Sequence, residues 1–166
     1  MILVALLVAV LSVSINASLA KVQAEEALVA RNETQELWFD QTINHFAADQ
    51  NATFQQRYYE VNEFWSNFTG PILLNIGGKG ALEHAPAGFT HTIAAKFEHR
   101  FYGKSISNNN LSTENYQFLT VQQALADLKH FKDTYQSLLG TEDADQWIAI
   151  GGSYPGALSA WFRVAI

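Results

Sequence analysis

The stretch that decides the fold is "QWIAIGGSYPGALSAWFR", residues 146–163. A short apolar run is followed by two glycines and a serine, and a proline stands near the start of a segment with helical composition. This order indicates a strand, a tight turn and a helix. The question it raises is whether Ser153 is a nucleophile held on that turn or a small residue in an ordinary loop.

A nucleophile elbow places its serine on a strained strand-to-helix turn, where the hydroxyl is exposed and the N–H of the next residue can bind an oxyanion. Small residues flank such a serine because the strand and the helix approach closely. Gly151 and Gly152 fit this pattern, whereas Pro155 stands where the spelling G-x-S-x-G has its last glycine. The local sequence therefore leaves both interpretations of Ser153 open.

The segments upstream of this turn alternate between strand and helix patterns, which predicts an α/β architecture. The predicted strands are 54–65, 71–78 and 146–150, and the predicted helices are 89–97, 113–140 and 155–166. The longest helix carries an apolar stripe with spacings of three and four residues, formed by Val121, Leu125, Leu128, Phe131 and Tyr135. Gly140 follows as a C-cap residue.

Composition limits the classes of protein and partner. The 166 residues suffice for one domain, and a hydrophobic content of 48% supports a packed core. The net charge of -6 and the lack of any Lys/Arg cluster argue against nucleic acid as a partner. The chain has no cysteine and no histidine pair at a zinc-helix spacing, so we predict no metal site.

The first twenty residues predict a cleaved signal peptide, residues 1–20, followed by a polar lead-in over residues 21–36. The apolar run from Ile2 to Ile15 is about 14 residues long, which is shorter than the roughly 20 that a membrane anchor needs. Small residues, Ser18 and Ala20, precede the expected cleavage point. We therefore expect no membrane span after signal cleavage.

Four N-glycosylation sequons support a secretory route to an extracellular or lysosomal location. None has proline at its middle position, and all lie beyond the predicted cleavage point. Their acceptors are Asn32, Asn51, Asn67 and Asn110.

The segment "GGSYPGALSAW" (151–161) resembles the elbow of the prolyl-cleaving serine carboxypeptidase family, which includes lysosomal Pro-X carboxypeptidase, dipeptidyl peptidase II and thymus-specific serine protease. Four further segments resemble that family in the same order along the chain. They are "FDQTINHF" (39–46), "FQQRYYEVNEFW" (54–65), "EHRFYGKS" (98–105) and "QALADLKHF" (123–131). The resemblance extends over residues 37–163.

This resemblance implies the N-terminal part of an α/β-hydrolase fold over residues 37–166, with a mostly parallel sheet and flanking helices. It implies a serine-type exopeptidase that cleaves peptides after proline through an acyl-enzyme, without any metal or organic cofactor. Ser153 would be the nucleophile, the Tyr154 N–H one oxyanion donor, and Gly78 or Lys79 the second. The family usually has "GGEG" where this chain has "GGKG", so Lys79 replaces an acid.

Several charged residues receive structural interpretations. We expect His99 to belong to a buried polar cluster and His45 to be a packing histidine. Glu98 and Arg100 are predicted to form an ion pair beneath the active-site loops. Asp127 precedes the serine, whereas the family's catalytic acid follows it, so we interpret Asp127 as a residue on the helix surface.

Two features predict that the chain is an incomplete product of a longer gene. Thirteen residues follow Ser153 and none is Asp, Glu or His, although hydrolases of this fold place both triad partners after the serine. In addition, Lys96 and Phe97 run directly into Glu98, so we predict that the apolar central strand implied by the resemblance is missing here. We expect the chain as given to be catalytically inert. The alternatives are a non-catalytic secreted glycoprotein and an esterase or lipase on the same fold.

Overall fold

The computed structural model describes residues 36–49, 51–62, 70–86, 93–107, 110–139 and 146–165. The predicted signal peptide, the lead-in up to residue 35, Gly140 and the sequons at Asn32 and Asn67 lie outside the described residues. No helix within the described ranges has both the length and the apolar character to cross a membrane.

Five strands form one mixed sheet in the order β1-β2-β4-β3-β5. The strands are β1 (Glu36–Thr42), β2 (Thr53–Val61), β3 (Ile72–Ile76), β4 (Ile93–Phe97) and β5 (Trp147–Ile150). β3 pairs in parallel with β4 and with β5, whereas β2 is antiparallel to both β1 and β4. The strands predicted at 71–78 and 146–150 are confirmed as β3 and β5, and the strand predicted at 54–65 is confirmed up to Val61, whereas its residues 63–65 lie outside the described residues. The expectation of a mostly parallel sheet holds only for its β4-β3-β5 half.

β4 corrects two predictions, because it lies directly before Glu98. A strand is therefore present where we predicted one to be missing, and the described part of the helix predicted over 89–97 is a strand instead. Ile93, Ala95 and Phe97 are buried on one face of β4, and the strand is hydrogen-bonded to neighbours on both sides. Its alanines and lysine favour a helix in isolation, but pairing with β2 and β3 outweighs that weak preference.

The helix predicted over 113–140 is divided into α1 (Thr113–Tyr116) and α2 (Val121–Leu139). Thr120 starts the second helix, because its hydroxyl oxygen accepts a hydrogen bond from the backbone N–H of Gln123 at 3.2 Å. The predicted helix after the elbow is confirmed as α3 (Tyr154–Ala165).

The core lies between one face of the sheet and the helices α2 and α3. Of the predicted stripe on α2, Leu128, Phe131 and Tyr135 are buried, whereas Val121 and Leu125 are only partly buried. Phe131 stacks on Phe97 of the central strand, with ring centroids 4.4 Å apart. α3 contributes two further buried side chains, Leu158 and Phe162. This packing fixes the turn between β5 and α3 against the sheet.

Candidate active site

Ser153 lies on the turn between β5 and α3 with its backbone in the left-handed region, at φ 57°. Such a conformation costs a residue with a Cβ about 1–3 kcal/mol, and residues held in it cluster at functional sites. Its carbonyl oxygen accepts a hydrogen bond from the N–H of Ala157 at 3.2 Å, and the residue is exposed. The turn therefore presents a strained serine to solvent at the start of a helix.

The strand and the helix meet too closely at this turn for a side chain at position 151. A Cβ on Gly151 would lie 2.5 Å from the backbone C and O of Pro155. Pro155 occupies the first turn of α3. A backbone N–H at this position would have no acceptor within the helix, so its absence in proline costs no hydrogen bond. Proline is therefore compatible with the elbow in place of the expected glycine.

Three parallel strands bring the candidate site together. Because β3, β4 and β5 run in the same direction, the loops after them meet at one edge of the sheet, as ligand sites of open α/β sheets do. The loop after β3 packs directly on the elbow helix, since a Cβ on Gly78 would lie 2.8 Å from Pro155 Cγ. Gly78 and Lys79 thus lie beside Pro155 and Tyr154 at the start of the elbow helix.

The side chain of Tyr154 joins the three loops. The Nζ of Lys79, after β3, lies 5.0 Å from the centroid of the Tyr154 ring. His99, after β4, has Nδ1 2.8 Å from the carbonyl oxygen of Arg100, which can only accept, so Nδ1 carries the proton. The Tyr154 hydroxyl then donates to His99 Nε2 at 3.2 Å.

Comparison with known proteins identifies the family. The family model described as "Serine carboxypeptidase S28" matches residues 41–165, which include all three loops. The chain belongs to the serine carboxypeptidase S28 family.

The curated relatives of this S28 chain are named as serine proteases or carboxypeptidases. "Probable serine protease EDA2" of Arabidopsis thaliana is 39% identical over 79% of this chain and 30% of its own length. Human "Lysosomal Pro-X carboxypeptidase" is 37% identical over 77% and 28%, and human "Thymus-specific serine protease" is 33% identical over 76% and 26%. The chain thus spans about a quarter to a third of the length of the relatives it matches.

Glu98 and Arg100 of the S28 chain do not pair with each other, so that prediction was wrong. Glu98 is fully buried and binds Arg57 at 2.5 Å, the N–H of Leu82 at 2.8 Å and the hydroxyl of Ser105 at 2.7 Å. Both oxygens of this carboxylate therefore accept hydrogen bonds. It ties the loop after β3 to the turn after β4.

Asp127 is buried, so its interpretation as a surface residue was also wrong. Both of its oxygens bind the guanidinium of Arg100, one through Nε at 2.6 Å, and one oxygen also lies 2.8 Å from His45 Nε2. His45 is consequently a hydrogen-bonding partner of Asp127 as well as a packing residue. Asp127 lies within the helix stripe, between Ala124 and Phe131 at spacings of three and four, and that position could have indicated its burial.

His99 lies in a buried polar cluster, as predicted, and its burial has a consequence for pH. Burial lowers the pKa of His99 because the charged imidazolium loses its hydration. In the unfolded chain the pKa returns to about 6.5, so below that pH the unfolded state binds the proton more readily. Stability linked to His99 is therefore complete above pH about 6.5 and is lost as pH falls toward the lower folded value.

We expect the free energy of unfolding to fall between neutral pH and pH about 5, and to fall less in His99→Gln. Urea denaturation at the two pH values measures this difference. His84→Gln is the matched control, since His84 is exposed. An equal pH dependence in the wild type and His99→Gln would contradict the assignment.

Proposed function

We propose that Ser153 is the nucleophile of a serine peptidase with an α/β-hydrolase fold. The observation that carries this proposal is the left-handed backbone of Ser153 on an exposed turn between a strand and a helix. An incidental serine gains nothing from that strain, whereas a nucleophile gains an exposed hydroxyl. The strand order and membership of the S28 family support the same proposal.

In the proposed reaction, Ser153 Oγ attacks the scissile carbonyl carbon and its proton passes to a histidine base. The resulting oxyanion accepts hydrogen bonds from the N–H of Tyr154 and from the N–H of Gly78 or Lys79. The histidine returns the proton to the leaving amine as the C–N bond breaks, and water then hydrolyses the acyl-enzyme. We place the histidine and its acidic partner beyond Ile166, in the complete protein.

For the substrate, we propose peptides that are cleaved near a chain end after proline. The support is the 37% identity to a relative whose name is lysosomal Pro-X carboxypeptidase. The signal-like residues 1–20 and this name together support a lysosomal or extracellular location.

A fluorophosphonate probe tests the nucleophile, because it phosphonylates activated serines. The complete protein from the transcript that carries this sequence should be labelled, and peptide mapping should place the label on Ser153. Ser159→Ala is the matched control, since the Ser159 hydroxyl donates to the carbonyl of Ala149 at 3.0 Å. Label on any other residue, or none on the folded protein, would refute the proposal.

A non-catalytic secreted glycoprotein is the second candidate function. It requires only the signal-like residues 1–20 and the sequons, and no catalytic triad. Sequencing the transcript past the codon for Ile166 distinguishes the two functions. The peptidase requires a downstream Asp or Glu and then a His in the same reading frame.

We also propose glycosylation at Asn51 and Asn110, because both acceptor asparagines are exposed. Protein expressed in a secretory host should gain electrophoretic mobility after N-glycosidase treatment. Asn51→Gln and Asn110→Gln should each remove one glycan from the intact mass. Asn62→Gln is the matched control, because Asn62 is partly exposed and is not in a sequon. An unchanged mass in either sequon variant would contradict that site.

A further inference from the structure

The contacts of Tyr154 go beyond what an oxyanion donor requires, since the donor is its backbone N–H. Its side chain is half-buried between groups from two other loops. His99 Nε2 accepts from its hydroxyl at 3.2 Å, and Lys79 Nζ lies 5.0 Å from its ring centroid. The His99 and Tyr154 rings are also in contact, with centroids 5.6 Å apart.

We propose that His99 and Lys79 are positioning residues that hold Tyr154, and through it the oxyanion-binding N–H groups, in reactive geometry. This inference rests on the proposed function and deepens it. Lys79, Tyr154 and His99 together are called the Tyr154 clamp below. The clamp connects the two loops that supply the oxyanion donors, the loop after β3 through Lys79 and the elbow through Tyr154.

His99 is a rigid anchor for this clamp because both of its chain neighbours are immobilised. Glu98 and Arg100 are fully buried, and each is held by several hydrogen bonds. The His99 ring itself is fixed by its bond to the Arg100 carbonyl and by edge contact with Tyr102, whose ring centroid lies 5.3 Å away. A fixed imidazole restricts Tyr154 through its hydroxyl, and the peptide N–H of Tyr154 moves with its side chain.

The effect on catalysis follows from how an oxyanion hole works. Its donors stabilise the transition state because they are already placed where the negative charge develops. If the donors are displaced by a fraction of an ångström, binding of the transition state is weakened more than binding of the substrate. Loss of the clamp should therefore lower kcat and leave KM nearly unchanged.

The test compares variants of the complete protein in peptide hydrolysis, with active sites counted by fluorophosphonate titration. Tyr154→Phe removes one oxygen and should lower kcat about tenfold, and His99→Phe should do the same. The double variant should be no slower than either single variant, because the two substitutions remove the same hydrogen bond, the one between Tyr154 and His99. His99→Gln retains a polar partner for the hydroxyl and should recover most of kcat.

Two further variants separate the parts of the clamp. Lys79→Met removes the cation above the ring and should lower kcat about threefold. Tyr116→Phe is the matched control, since Tyr116 is exposed and its ring packs on Phe101, and it should leave kcat unchanged. Should His99→Phe not fold, Tyr154→Phe carries the test alone because it removes a single atom.

The outcomes for the clamp and for the proposed function are distinct. Wild-type protein that neither reacts with the probe nor hydrolyses peptide overturns the proposed function and the clamp with it. Wild type that reacts, with Tyr154→Phe at full kcat per titrated site, overturns the clamp alone. A loss confined to KM, or equal losses in His99→Gln and His99→Phe, also overturns it.

Discussion

Ser153→Ala in the complete protein is expected to abolish peptide hydrolysis, with kcat lowered by about 10⁴-fold or more and KM nearly unchanged. In the proposed mechanism the hydroxyl oxygen of Ser153 forms the acyl-enzyme, and alanine has no atom that could replace it. The substrate still binds, because Ser153 is exposed and its removal leaves the surrounding loops in place. Steady-state kinetics with a proline-containing peptide measures both constants.

Ser153→Gly provides a second variant with an opposite effect on stability. Glycine adopts a positive φ without steric cost, so relief of the strain at φ 57° should raise the free energy of unfolding by about 1 kcal/mol. The more stable protein should be inactive, which is the trade expected where strain serves function. Full activity in Ser153→Ala, or a less stable Ser153→Gly, would contradict the elbow assignment.

The elbow could be predicted from the sequence because its determinants are local. Gly151, Ser153 and Pro155 lie within five residues, and each has a conformational reason to be there. The same holds for the long helix, whose apolar spacing is a property of one segment. The strained φ of Ser153, which the sequence does not reveal, is the observation that supports the proposal of a nucleophile over an incidental serine.

β4 could not be predicted because its conformation is decided by its neighbours. Residues 93–97 contain two alanines and a lysine, which have no preference for strands, and β2 and β3 supply the hydrogen bonds that make them one. The prediction of the ion-pair partners was wrong for a related reason. Arg100 and Asp127 are 27 positions apart and Glu98 and Arg57 are 41 apart, so only the folded topology selects the partners.

The buried pair of Arg100 and Asp127 leads to the largest expected effect on stability. Asp127→Asn keeps the shape of the side chain but leaves the guanidinium of Arg100 buried without a counter-ion. We expect the free energy of unfolding to fall by about 3–5 kcal/mol, as it does when one member of a buried ion pair is removed. Chemical denaturation measures this change, with the slope of the transition as a check on two-state behaviour.

The companion variant Arg100→Met/Asp127→Leu separates the cost of an unpaired charge from the value of the pair. Replacement of both ions by apolar groups should recover part of the stability, because no charge is left buried. Arg100 also donates to the carbonyls of Thr42, Ile43 and Phe118, so recovery should be incomplete. A loss below about 1 kcal/mol in Asp127→Asn, the range of exposed pairs, would contradict burial of this pair. Because Arg100 adjoins His99, the double variant should also release the Tyr154 clamp. Relative to Asp127→Asn, the free energy of unfolding and kcat should therefore recover to different extents.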